Sequence, residues 1–479
     1  MCSPATFPAL DPAFAAAFRN GTLTERQAEQ FVRQDSAAII FQLLELSALL
    51  KSGGLPPVGP HTPSGAIPPY AKPPADPKKP KKRGAKPGHS GQCRPEAQPN
   101  RFVEHQAPCC PDCRGKLVRT GRQRTRIVED IPADIQPEIT EHTIHRDWCP
   151  KCKKQVEPIV PDALPNATFG HRTTVLSAWF HYDLGLTTSR ILSVFNAHLH
   201  FKLTDGGVTE IWHRLAAILD PWYQSIRDLC LKSGVLHADE TGWRVDGSTW
   251  WLWCFTTQRE TYYLIDNSRG RDVLDEFFGG EFQGTLVTDF WAAYTGMSRT
   301  AQKCWPHLLR ELKEIDKGPE AKQDWPEFAE KLRRIYRDAV NLAARRDECK
   351  PGSFDRKVLN LDTRMTDLAV FAWTNPHAVR LAKRLFKHGP DLLTFVEIAG
   401  VPSDNNHAER TIRPAVEMRK LSYGNRSEKG AATRSVLMSI FRTLKLRGLD
   451  PIATLETALR TYTTTGQLPP LPKETGSGG

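Results

Sequence analysis

Two acidic residues each end a short apolar run and could carry metal-dependent chemistry. The runs 235–239 and 286–289 are rich in apolar and β-branched residues, and they end in Asp239 and Asp289. Short runs of this kind predict buried strands. We therefore expect both carboxylates just past strand ends, at the rim of one sheet.

A third acid, Glu409, is predicted to lie in the first turns of a helix. The preceding cluster 403–405, Ser-Asp-Asn, has the residue types that cap helix N-termini. Two strand-borne aspartates facing a helix-borne glutamate can hold two divalent metal ions for in-line displacement at phosphorus. Hard oxygen ligands favour Mg²⁺ or Mn²⁺ over a catalytic zinc ion. The same site could cleave a strand with water and then join strands through a 3′-hydroxyl.

The residues around these acids predict the elements that position them. Three strands, a helix at Arg271–Phe278 and a parallel fourth strand follow the order of a ribonuclease-H-like core. After the strand-like run 235–239, the three expected strands of a meander span 243–245, 249–257 and 261–268, and the parallel fourth strand spans 284–289. We expect a multidomain chain of the α+β and α/β classes. A helical insertion interrupts the catalytic core, which is preceded by a zinc ribbon and helical N-terminal regions.

Two CxxC pairs predict a structural zinc site. The pairs consist of Cys110, Cys113, Cys149 and Cys152. Four thiolates from two such pairs suit tetrahedral zinc, and the alternating segments 125–131 and 139–144 predict the strands of a ribbon. The loop between the pairs is long, so the ligand register stays open. The alternative ligands are Cys109, His142 and His145.

The charge balance favours a polyanionic partner, although a solvated surface is the alternative. Lys and Arg exceed Asp and Glu by 65 − 54 = +11. The Pro-, Gly- and Lys-rich stretch 76–91 predicts an extended linker that tracks a phosphate backbone, or one that merely aids solubility. Its candidate DNA-binding residues are Lys78, Lys79, Lys81, Lys82 and Arg83. A second basic surface is expected after Glu409, from Arg410, Arg413, Arg419, Lys420, Arg426, Lys429 and Arg434.

The remaining segments predict helices. A short seam in 39–50 predicts a coiled coil for self-association, or a helix packed on its own chain. A helix capped by Thr187–Ser189 and running to Phe195, a turn at 205–207 and a second helix at 208–219 could form a helix-turn-helix that reads DNA, or an ordinary helical pair. The start, 1–14, lacks the pattern of a secretory signal, and the apolar run 37–50 is too short and polar to span a membrane. The 11 cysteines, in a chain without such a signal, indicate thiols and metal ligands rather than disulfides, so we expect an intracellular protein.

The expected regions follow from these patterns. They are 1–52 (helical or coiled coil), 53–100 (basic linker), 101–160 (zinc ribbon), 161–232 (helical, with the possible helix-turn-helix), 233–317 (first part of the core), 318–390 (helical insertion), 391–425 (second part of the core), 426–466 (C-terminal helices) and 467–479 (disordered tail).

Read in order, these stretches resemble the transposases of the insertion sequence 66 family, which are DDE-type enzymes. The resemblance covers nearly the whole chain and rests on RGAKPGHSG, the two CxxC pairs, ADETGW, VTDFWAAY, CWPHLLREL and DNNHAERTIRP. It implies that Asp239, Asp289 and Glu409 match the catalytic acids of a polynucleotidyl transferase. It also implies that His307, within CWPHLLREL, matches a motif residue with an accessory role.

The resemblance further implies the partners and the setting. The chain would cleave and transfer DNA strands at the terminal inverted repeats of a mobile insertion sequence and join them to target DNA. It would act as a homodimer or higher oligomer in the bacterial cytoplasm, at the nucleoid, with helper proteins from the same element as further candidate partners. The alternatives are a metal nuclease that does not join strands and a catalytically silent, domesticated DNA-binding protein. The intact acids argue against the silent protein, because buried negative charge facing phosphate does not help a binding module.

Neutralising the five basic residues of the linker should weaken DNA binding. Replacing Lys78, Lys79, Lys81, Lys82 and Arg83 by Gln removes phosphate contacts, which carry no sequence information. We expect similar reductions in affinity for all DNA sequences, and a salt slope that is shallower by about one for each lysine or arginine that no longer neutralises a phosphate. Fluorescence anisotropy at several salt concentrations measures both. A reduction confined to one sequence would show that the linker reads bases.

Overall fold

The structure is a computed structural model that describes residues 98–110, 112–118, 125–132 and 134–473. The chain divides into two units, and every described residue belongs to the second, Ala85–Gly479. The predicted N-terminal helices and all but the last residues of the basic linker lie outside the described residues.

A five-stranded mixed sheet forms the centre of the fold. Its strands are β3 (Val235–Val245), β4 (Ser248–Thr256), β5 (Thr261–Asp266), β6 (Phe282–Thr288) and β7 (Ser298–Lys303). Their order across the sheet is β5-β4-β3-β6-β7, where β3, β4 and β5 are antiparallel neighbours and β6 is parallel to both β3 and β7. This mixed sheet with flanking helices fits the expected combination of helix and parallel strand.

The position of Asp239 corrects the sequence prediction. We expected the strand to end at Asp239, but β3 continues to Val245. The reason is that β4 pairs with β3 from His237 to Val245, so the backbone hydrogen bonds continue past the acid. The parallel pairing with β6 does stop earlier, at His237. Asp289 lies directly after β6, as predicted.

Helices precede and follow the strands of the sheet along the chain. The helices before Asp289 are α1 (His171–Tyr182), α2 (Thr188–Ser193, continued by a π-helical turn at Val194–His198), α3 (Asp205–Leu231) and α4 (Arg271–Phe278). Those after it are α5 (Trp305–Asp316), α6 (Trp325–Ala344), α7 (Pro351–Val370), α8 (Pro376–Glu397), α9 (Asn406–Ser422), α10 (Glu428–Leu446) and α11 (Pro451–Thr465).

The edge strand β5 is covered by α10 in a way that satisfies its backbone. Three N–H groups of β5, at Thr261, Tyr263 and Ile265, donate to hydroxyls of α10 at 3.1, 2.8 and 3.0 Å. The accepting side chains are Thr443, Ser439 and Ser435. Hydroxyls spaced four residues apart on one helix face thus match N–H groups spaced two apart on a strand. An exposed strand edge is thereby removed.

The helices between Asp289 and Glu409 form a second core. Residues of α5, α6, α7 and α8 bury their apolar faces together, with Trp305, Trp325 and Phe328 among the fully buried side chains. The helix α8 packs along the other edge strand, β7, where Thr394 Oγ1 donates to the carbonyl of Ala301 at 2.7 Å. This helical body therefore rests on the sheet through α8.

The region before the sheet differs from the prediction at one turn. The glycines at 206 and 207 were expected to turn the chain, but they lie in the first turn of α3. Thr204 precedes the helix, and its hydroxyl accepts from the N–H of Gly207 at 3.1 Å. The apolar face of α3, which includes Trp212 and Trp222, is buried in the main core. The role of α2 and α3 in reading DNA stays a prediction.

The C-terminal segment also differs from the prediction. We expected a disordered tail from residue 467, but its described part, up to residue 473, lies against the fold. Leu468 and Leu471 pack against the main core, and the carbonyl of Pro469 accepts from Trp222 Nε1 at 2.6 Å. Residues 474–479 lie outside the described residues.

The cysteine region corrects a further prediction. The segments 125–131 and 139–144 alternate in polarity, but their described residues form no strand, and Val128 and Ile139 are 69% and 89% exposed. In the part of the chain that the structure describes, no second layer of residues covers these side chains. Alternation of polar and apolar residues is therefore not sufficient to form paired strands. A short antiparallel hairpin instead surrounds the second CxxC pair, with β1 (Asp147–Cys149) and β2 (Lys154–Val156).

Each CxxC pair has the backbone arrangement of a knuckle. The N–H groups of Cys113 and Cys152 approach the thiols of Cys110 and Cys149, and these hydrogen bonds lower the pKa of both thiols. The N–H of Cys152 lies 3.4 Å from Cys149 Sγ. Thiols held in this way are prepared to bind a metal as thiolates.

Among the described residues, no helix has the length and apolar character to cross a membrane.

Replacing Cys113 or Cys149 by Ser should remove a bound zinc ion. The exposed apolar side chains of 125–144 show that this region has little core of its own, so its order depends on the metal. We expect about one zinc per chain bound by the CxxC pairs of the wild type, and the loss of that one zinc from either variant. Elemental analysis measures the metal, and limited proteolysis measures local unfolding.

The matched control is Cys349→Ser, since Cys349 is half-buried and lies outside the cysteine pairs. Wild-type protein without zinc, after purification free of chelators, would contradict the assignment.

Candidate metal centre

The pairing register places Asp239 and Asp289 next to each other. The last parallel pair of β3 and β6 is His237 with Val287. Each aspartate lies two residues beyond its partner in that pair, so the two carboxylates are on the same face of neighbouring strands. Adjacent strands are separated by about 4.8 Å. The register thus brings together two acids that are 50 residues apart in the sequence, from 239 to 289.

A network around Asn405 brings the start of α9 to the same edge. The Asn405 side chain donates from Nδ2 to the carbonyl of Ala238 at 2.8 Å, and its Oδ1 lies 3.0 Å from His237 Nδ1. Its backbone N–H donates to Cys304 Sγ at 3.2 Å. Asn405 is therefore tied to β3 beside Asp239, and Glu409 follows one turn later.

The start of α9 follows the predicted cluster, but its cap residue, Asn405, makes no side-chain capping bond because its side chain contacts β3 instead. The neighbouring Asp404 accepts through Oδ1 from the N–H of Asn406 at 2.9 Å. Glu409 lies in the first turn of this helix, as predicted.

The end of β7 adds Cys304 to this edge. Thr288 pairs with Lys303 across β6 and β7, and the N–H of Cys304 donates to the carbonyl of Thr288 at 3.0 Å. Cys304 directly precedes α5, whose first turn carries His307. The Cys304, His307 and Glu409 ligand atoms all lie within 4.8 Å of one another. His307, to which the family resemblance assigns an accessory role, thus lies beside Glu409.

The electrostatics of Asp239 are those of a half-buried acid among other acids. Desolvation raises its pKa well above the usual range, and the charges of Glu240, Asp289 and Glu409 raise it further. The backbone N–H of Glu240, which donates to Asp239 Oδ1 at 3.0 Å, opposes this shift. Glu409 contributes a buried carboxylate oxygen, Oε1, that accepts no hydrogen bond. A divalent cation would neutralise these acids, so the residues fit the metal-binding role predicted for them.

The three acids are not arranged as the ligands of a single ion. Within the described parts of the chain, the one set of three potential ligands within 4.8 Å is Cys304, His307 and Glu409. The carboxylates of Asp239, Asp289 and Glu409 are therefore spread over a wider distance. Two metal ions in such sites lie about 3.5–4 Å apart, so a wider spread is compatible with two ions bridged by the acids.

Two neighbours fix the geometry of Asp289. Its Oδ1 accepts from the backbone N–H of Trp291 at 2.8 Å. Lys303, which is buried, donates from Nζ to the carbonyl of Asp289 at 2.9 Å and to Thr288 Oγ1 at 2.8 Å. Burial lowers the pKa of Lys303, and the charge of Asp289 partly restores it. Sequence reasoning missed Lys303, because nothing local distinguishes it from a surface lysine.

Glu240 is a further residue that the sequence analysis did not assign. Its Oε1 accepts from Arg269 at 2.8 and 3.1 Å, and its Oε2 accepts from the Tyr294 hydroxyl at 2.6 Å. The Arg269 guanidinium lies 4.5 Å from the Trp251 ring and 3.9 Å from the Trp291 ring. Both carboxylate oxygens are thus occupied by protein donors, which makes Glu240 a support for the site and not a metal ligand. Its place next to Asp239 is the one sequence signal that could have identified it.

Two histidines lie behind the acids and are held neutral. Burial lowers the pKa of His237 to about 4 and also lowers the pKa of His407. The His407 Nε2 lies 2.6 Å from the carbonyl of Thr257, and the two imidazole centroids are 5.1 Å apart. Neutral rings next to the acids connect α9 to β3 and β4 without adding charge.

The predicted basic surface after Glu409 is only partly a surface. Arg410, Arg413 and Lys420 are exposed. Arg419 instead donates to the carbonyl of Gly242 and, at 3.3 Å, to Thr241 Oγ1, so it fastens α9 to β3.

The prediction for Arg434 is wrong. Its side chain is buried in α10, with Nη2 at 2.8 Å from His181 Nε2 and the guanidinium 5.3 Å from the Tyr182 ring. The charged residues that precede Arg434 in the sequence suggest that it lies on the surface, but α10 is enclosed by the core. Arg426 and Lys429 are exposed.

Comparison with known proteins identifies two matching regions. Residues 166–433, more than half of the chain, match the family described as "Transposase IS66 family". Residues 108–153 match the "zinc-finger binding domain of transposase IS66". The first match contains the three acids together with Cys304 and His307, and the second contains both CxxC pairs.

Two curated relatives come from Sinorhizobium fredii (strain NBRC 101917 / NGR234). The chain is 25% identical to "Uncharacterized protein y4qI" over 236 residues, which cover 44% of this chain and 43% of that protein. It is 24% identical to "Uncharacterized protein y4jD" over 398 residues, which cover 75% of each chain. The match thus spans less than half of y4qI and three quarters of y4jD.

Asp239→Asn should stabilise the protein when divalent cations are absent. The folded protein holds the pKa of Asp239 above its unfolded value of about 3.9, so the folded state binds the proton more tightly. Stability therefore falls as the pH rises from that unfolded value through the folded pKa, and the ionised acid is a cost that Asn avoids. We expect a gain of about 1 kcal/mol or more in the free energy of unfolding near neutral pH. Urea unfolding in EDTA measures it.

The gain should shrink toward pH values below about 4, where the wild-type carboxyl becomes protonated in both states. Added Mg²⁺ should stabilise the wild type by mass action and leave Asp239→Asn almost unchanged. Asp228→Asn, at an exposed acid of α3, is the control and should behave like the wild type. Equal Mg²⁺ stabilisation of Asp239→Asn would remove Asp239 from the metal site.

Proposed function

Since this chain belongs to the IS66 family of transposases, we propose that it cleaves DNA at the ends of an insertion sequence and transfers the strands to target DNA. Asp239, Asp289 and Glu409 would be the catalytic acids and the ligands of two Mg²⁺ or Mn²⁺ ions. The observation that carries the proposal is the convergence of these acids, from β3, the end of β6 and the first turn of α9, at one edge of the sheet.

The strand order supports a ribonuclease-H-like catalytic domain. Three antiparallel strands lead through α4 to a parallel fourth strand, and β7 extends the sheet beyond it. In this arrangement the first acid lies on the central strand β3 and the second follows its parallel neighbour β6. These are the positions at which a metal-dependent nuclease of this class needs its acids.

The roles of the side chains follow from their contacts. Bound metal ions would polarise the attacking water or 3′-hydroxyl and stabilise the leaving 3′-oxygen. Lys303 and the N–H of Trp291 hold Asp289, and Asn405 holds the start of α9, so the acids keep their relative positions. Glu240 is kept from rotating toward the metals by Arg269 and Tyr294.

The surroundings of the acids suit a phosphodiester. The N-termini of α5 and α9 meet at this edge, where the N–H of Trp305 donates to the carbonyl of Ser403 at 3.1 Å. Helix N-termini carry partial positive charge and favour phosphate groups. Arg410 and Arg413 extend from the exposed side of α9 beside Glu409. Lys420, further along, lies on an exposed part of the same helix.

Further DNA contacts and partner proteins would complete this function. The zinc-finger region, with Cys110, Cys113, Cys149 and Cys152 as zinc ligands, and the basic linker would add DNA contacts outside the catalytic domain. Pairing of two element ends requires at least two active sites, so we propose a homodimer or higher oligomer, with helper proteins of the same element as further partners. The protein would work in the bacterial cytoplasm, at the nucleoid.

Glu409→Gln should abolish both cleavage and joining. The substitution keeps size and helix propensity but removes the charge that would bind metal. We expect a reduction of about 10³-fold or more in cleavage of a labelled element end with Mg²⁺, as for other groups that stabilise transition-state charge. Thermal unfolding and DNA binding without Mg²⁺ should stay close to wild type.

Two other helical glutamates, Glu397 and Glu417, provide the controls for Glu409→Gln. Glu417, two turns along α9, is exposed, and Glu397, at the end of α8, has its pKa raised by burial and by Asp362 of the helical body. Glu311 is already held by Arg380 and Arg384 at 2.5 Å each. Glu397→Gln and Glu417→Gln should keep activity. Robust cleavage by the Glu409→Gln protein would exclude Glu409 from the site. If the wild-type protein cleaves DNA but does not join strands, the protein is a nuclease.

A further inference from the structure

Three potential metal ligands of mixed chemistry lie together beside the catalytic acids. Cys304 precedes α5, and His307 follows three residues later, so both side chains reach the same side of the first turn. Glu409 approaches them from the first turn of α9. The Sγ, imidazole nitrogen and carboxylate oxygen of these residues are all within 4.8 Å of one another.

This set of ligands differs from that of the proposed Mg²⁺ site. Mg²⁺ and Mn²⁺ prefer carboxylate and water oxygens. Thiolate, imidazole and carboxylate together are the ligands of Zn²⁺, at distances of about 2.0 to 2.3 Å. Three protein ligands would leave a fourth tetrahedral position for solvent or a DNA oxygen. The Glu409 carboxylate is therefore shared by two sites. One has the hard oxygen ligands that suit Mg²⁺, and the other has the mixed sulfur, nitrogen and oxygen ligands that suit Zn²⁺.

We propose that Cys304, His307 and Glu409 bind Zn²⁺ at a site distinct from the CxxC pairs, and that zinc bound there draws Glu409 away from the catalytic metal ions and inhibits cleavage. The inhibitory part rests on the proposed function, because it requires Glu409 to serve the catalytic metals. The binding part depends only on the three side chains.

The polar contacts at the site support a cation there. Glu409 Oε1 is buried and accepts no hydrogen bond, and it lies 3.8 Å from His307 Nε2. A buried acceptor without a donor is uncommon in a folded protein and calls for a partner. A Zn²⁺ ion between Glu409 and His307 would supply that partner to Glu409 Oε1.

The Cys304 thiol has a backbone donor beside it. Burial raises the pKa of this thiol to about 12, and the N–H of Asn405, which donates to Cys304 Sγ at 3.2 Å, partly opposes that shift. Binding forms a sulfur–zinc bond, and the thiol proton leaves to solvent; no oxidation takes place. Asn405 also contacts Ala238 and His237 beside Asp239. The hydrogen bond from Asn405 thus connects the zinc ligand to the strand that carries the first catalytic acid.

A purely structural role for Cys304 makes a different prediction. Cys304 is fully buried and could serve only to fill the core at the start of α5, while His307 and Glu409 form an ion pair. In that case Cys304→Ser would alter stability without altering any metal bound near Glu409.

The binding test uses the full chain with its CxxC pairs loaded with zinc. Co²⁺ is then titrated in as a spectroscopic probe, because a thiolate ligand gives cobalt an intense near-ultraviolet charge-transfer band. We expect one additional cobalt per chain with this band in the wild type and in Cys349→Ser, a control cysteine of the helical body. The band should disappear in Cys304→Ser. His307→Gln, at a more exposed ligand, should retain the band with affinity weaker by about tenfold or more.

The inhibition test measures Mg²⁺-dependent cleavage as zinc is added, with each protein normalised to its own zinc-free rate. Cys304→Ser should need about tenfold more zinc for half-inhibition than the wild type or Cys349→Ser. An unchanged cobalt band in Cys304→Ser would overturn the site. Equal zinc sensitivity of all variants, although the band has disappeared, would overturn the inhibitory role. A wild type that never cleaves DNA would overturn the proposed function and the inhibition together, whereas the cobalt titration decides the binding site independently.

Discussion

The pairing register of β3 and β6 is the constraint on which the candidate centre depends. With His237 opposite Val287, Asp239 and Asp289 fall at equivalent positions on neighbouring strands and share a face. A slip of one residue would turn one carboxylate to the opposite face. The register is secured by buried residues such as Leu236 and Leu286, which are paired in the same ladder and are almost fully buried. Core packing thereby determines the geometry of the acids.

Hydrogen bonds from helices to strand edges complete that geometry. At one edge, hydroxyls of α10 accept from the N–H groups of β5, and at the other, α8 binds β7. The chain then passes from α8 to α9, where Asn405 contacts β3. The long separation of Glu409 from Asp289 is therefore occupied by a helical body with its own core and not by a loop. Such an insertion adds residues without loosening the position of the third acid.

The charge arrangement opposes folding in the absence of a cation. Asp239 is half-buried among other acids, and the ammonium group of the buried Lys303 donates to backbone and hydroxyl oxygens near Asp289. Glu240 is the exception, since Arg269 and Tyr294 satisfy it fully. A site that is destabilising when empty of cations binds them more strongly, because the cation removes the repulsion. This trade-off is expected where function requires concentrated negative charge.

Features that depend on neighbours along the chain could be predicted from the sequence, whereas those that join distant residues required the fold. The apolar run before Asp289 ends as a strand, the cap cluster starts the helix of Glu409, and the strand–helix–strand order appears in the sheet. The family resemblance is confirmed by the match over 166–433, while the catalytic and metal-binding roles of the acids stay predictions.

Contacts between distant residues decided the rest. The strand of Asp239 continues because β4 pairs with it, and Arg434 is buried because α3 and β5 enclose α10. Cys304 lies beside Glu409 although 105 positions separate them, 409 − 304. A sequence pattern records the polarity of each residue and its near neighbours, but burial, pairing and ligand distance are set by contacts across the fold, which no local pattern contains.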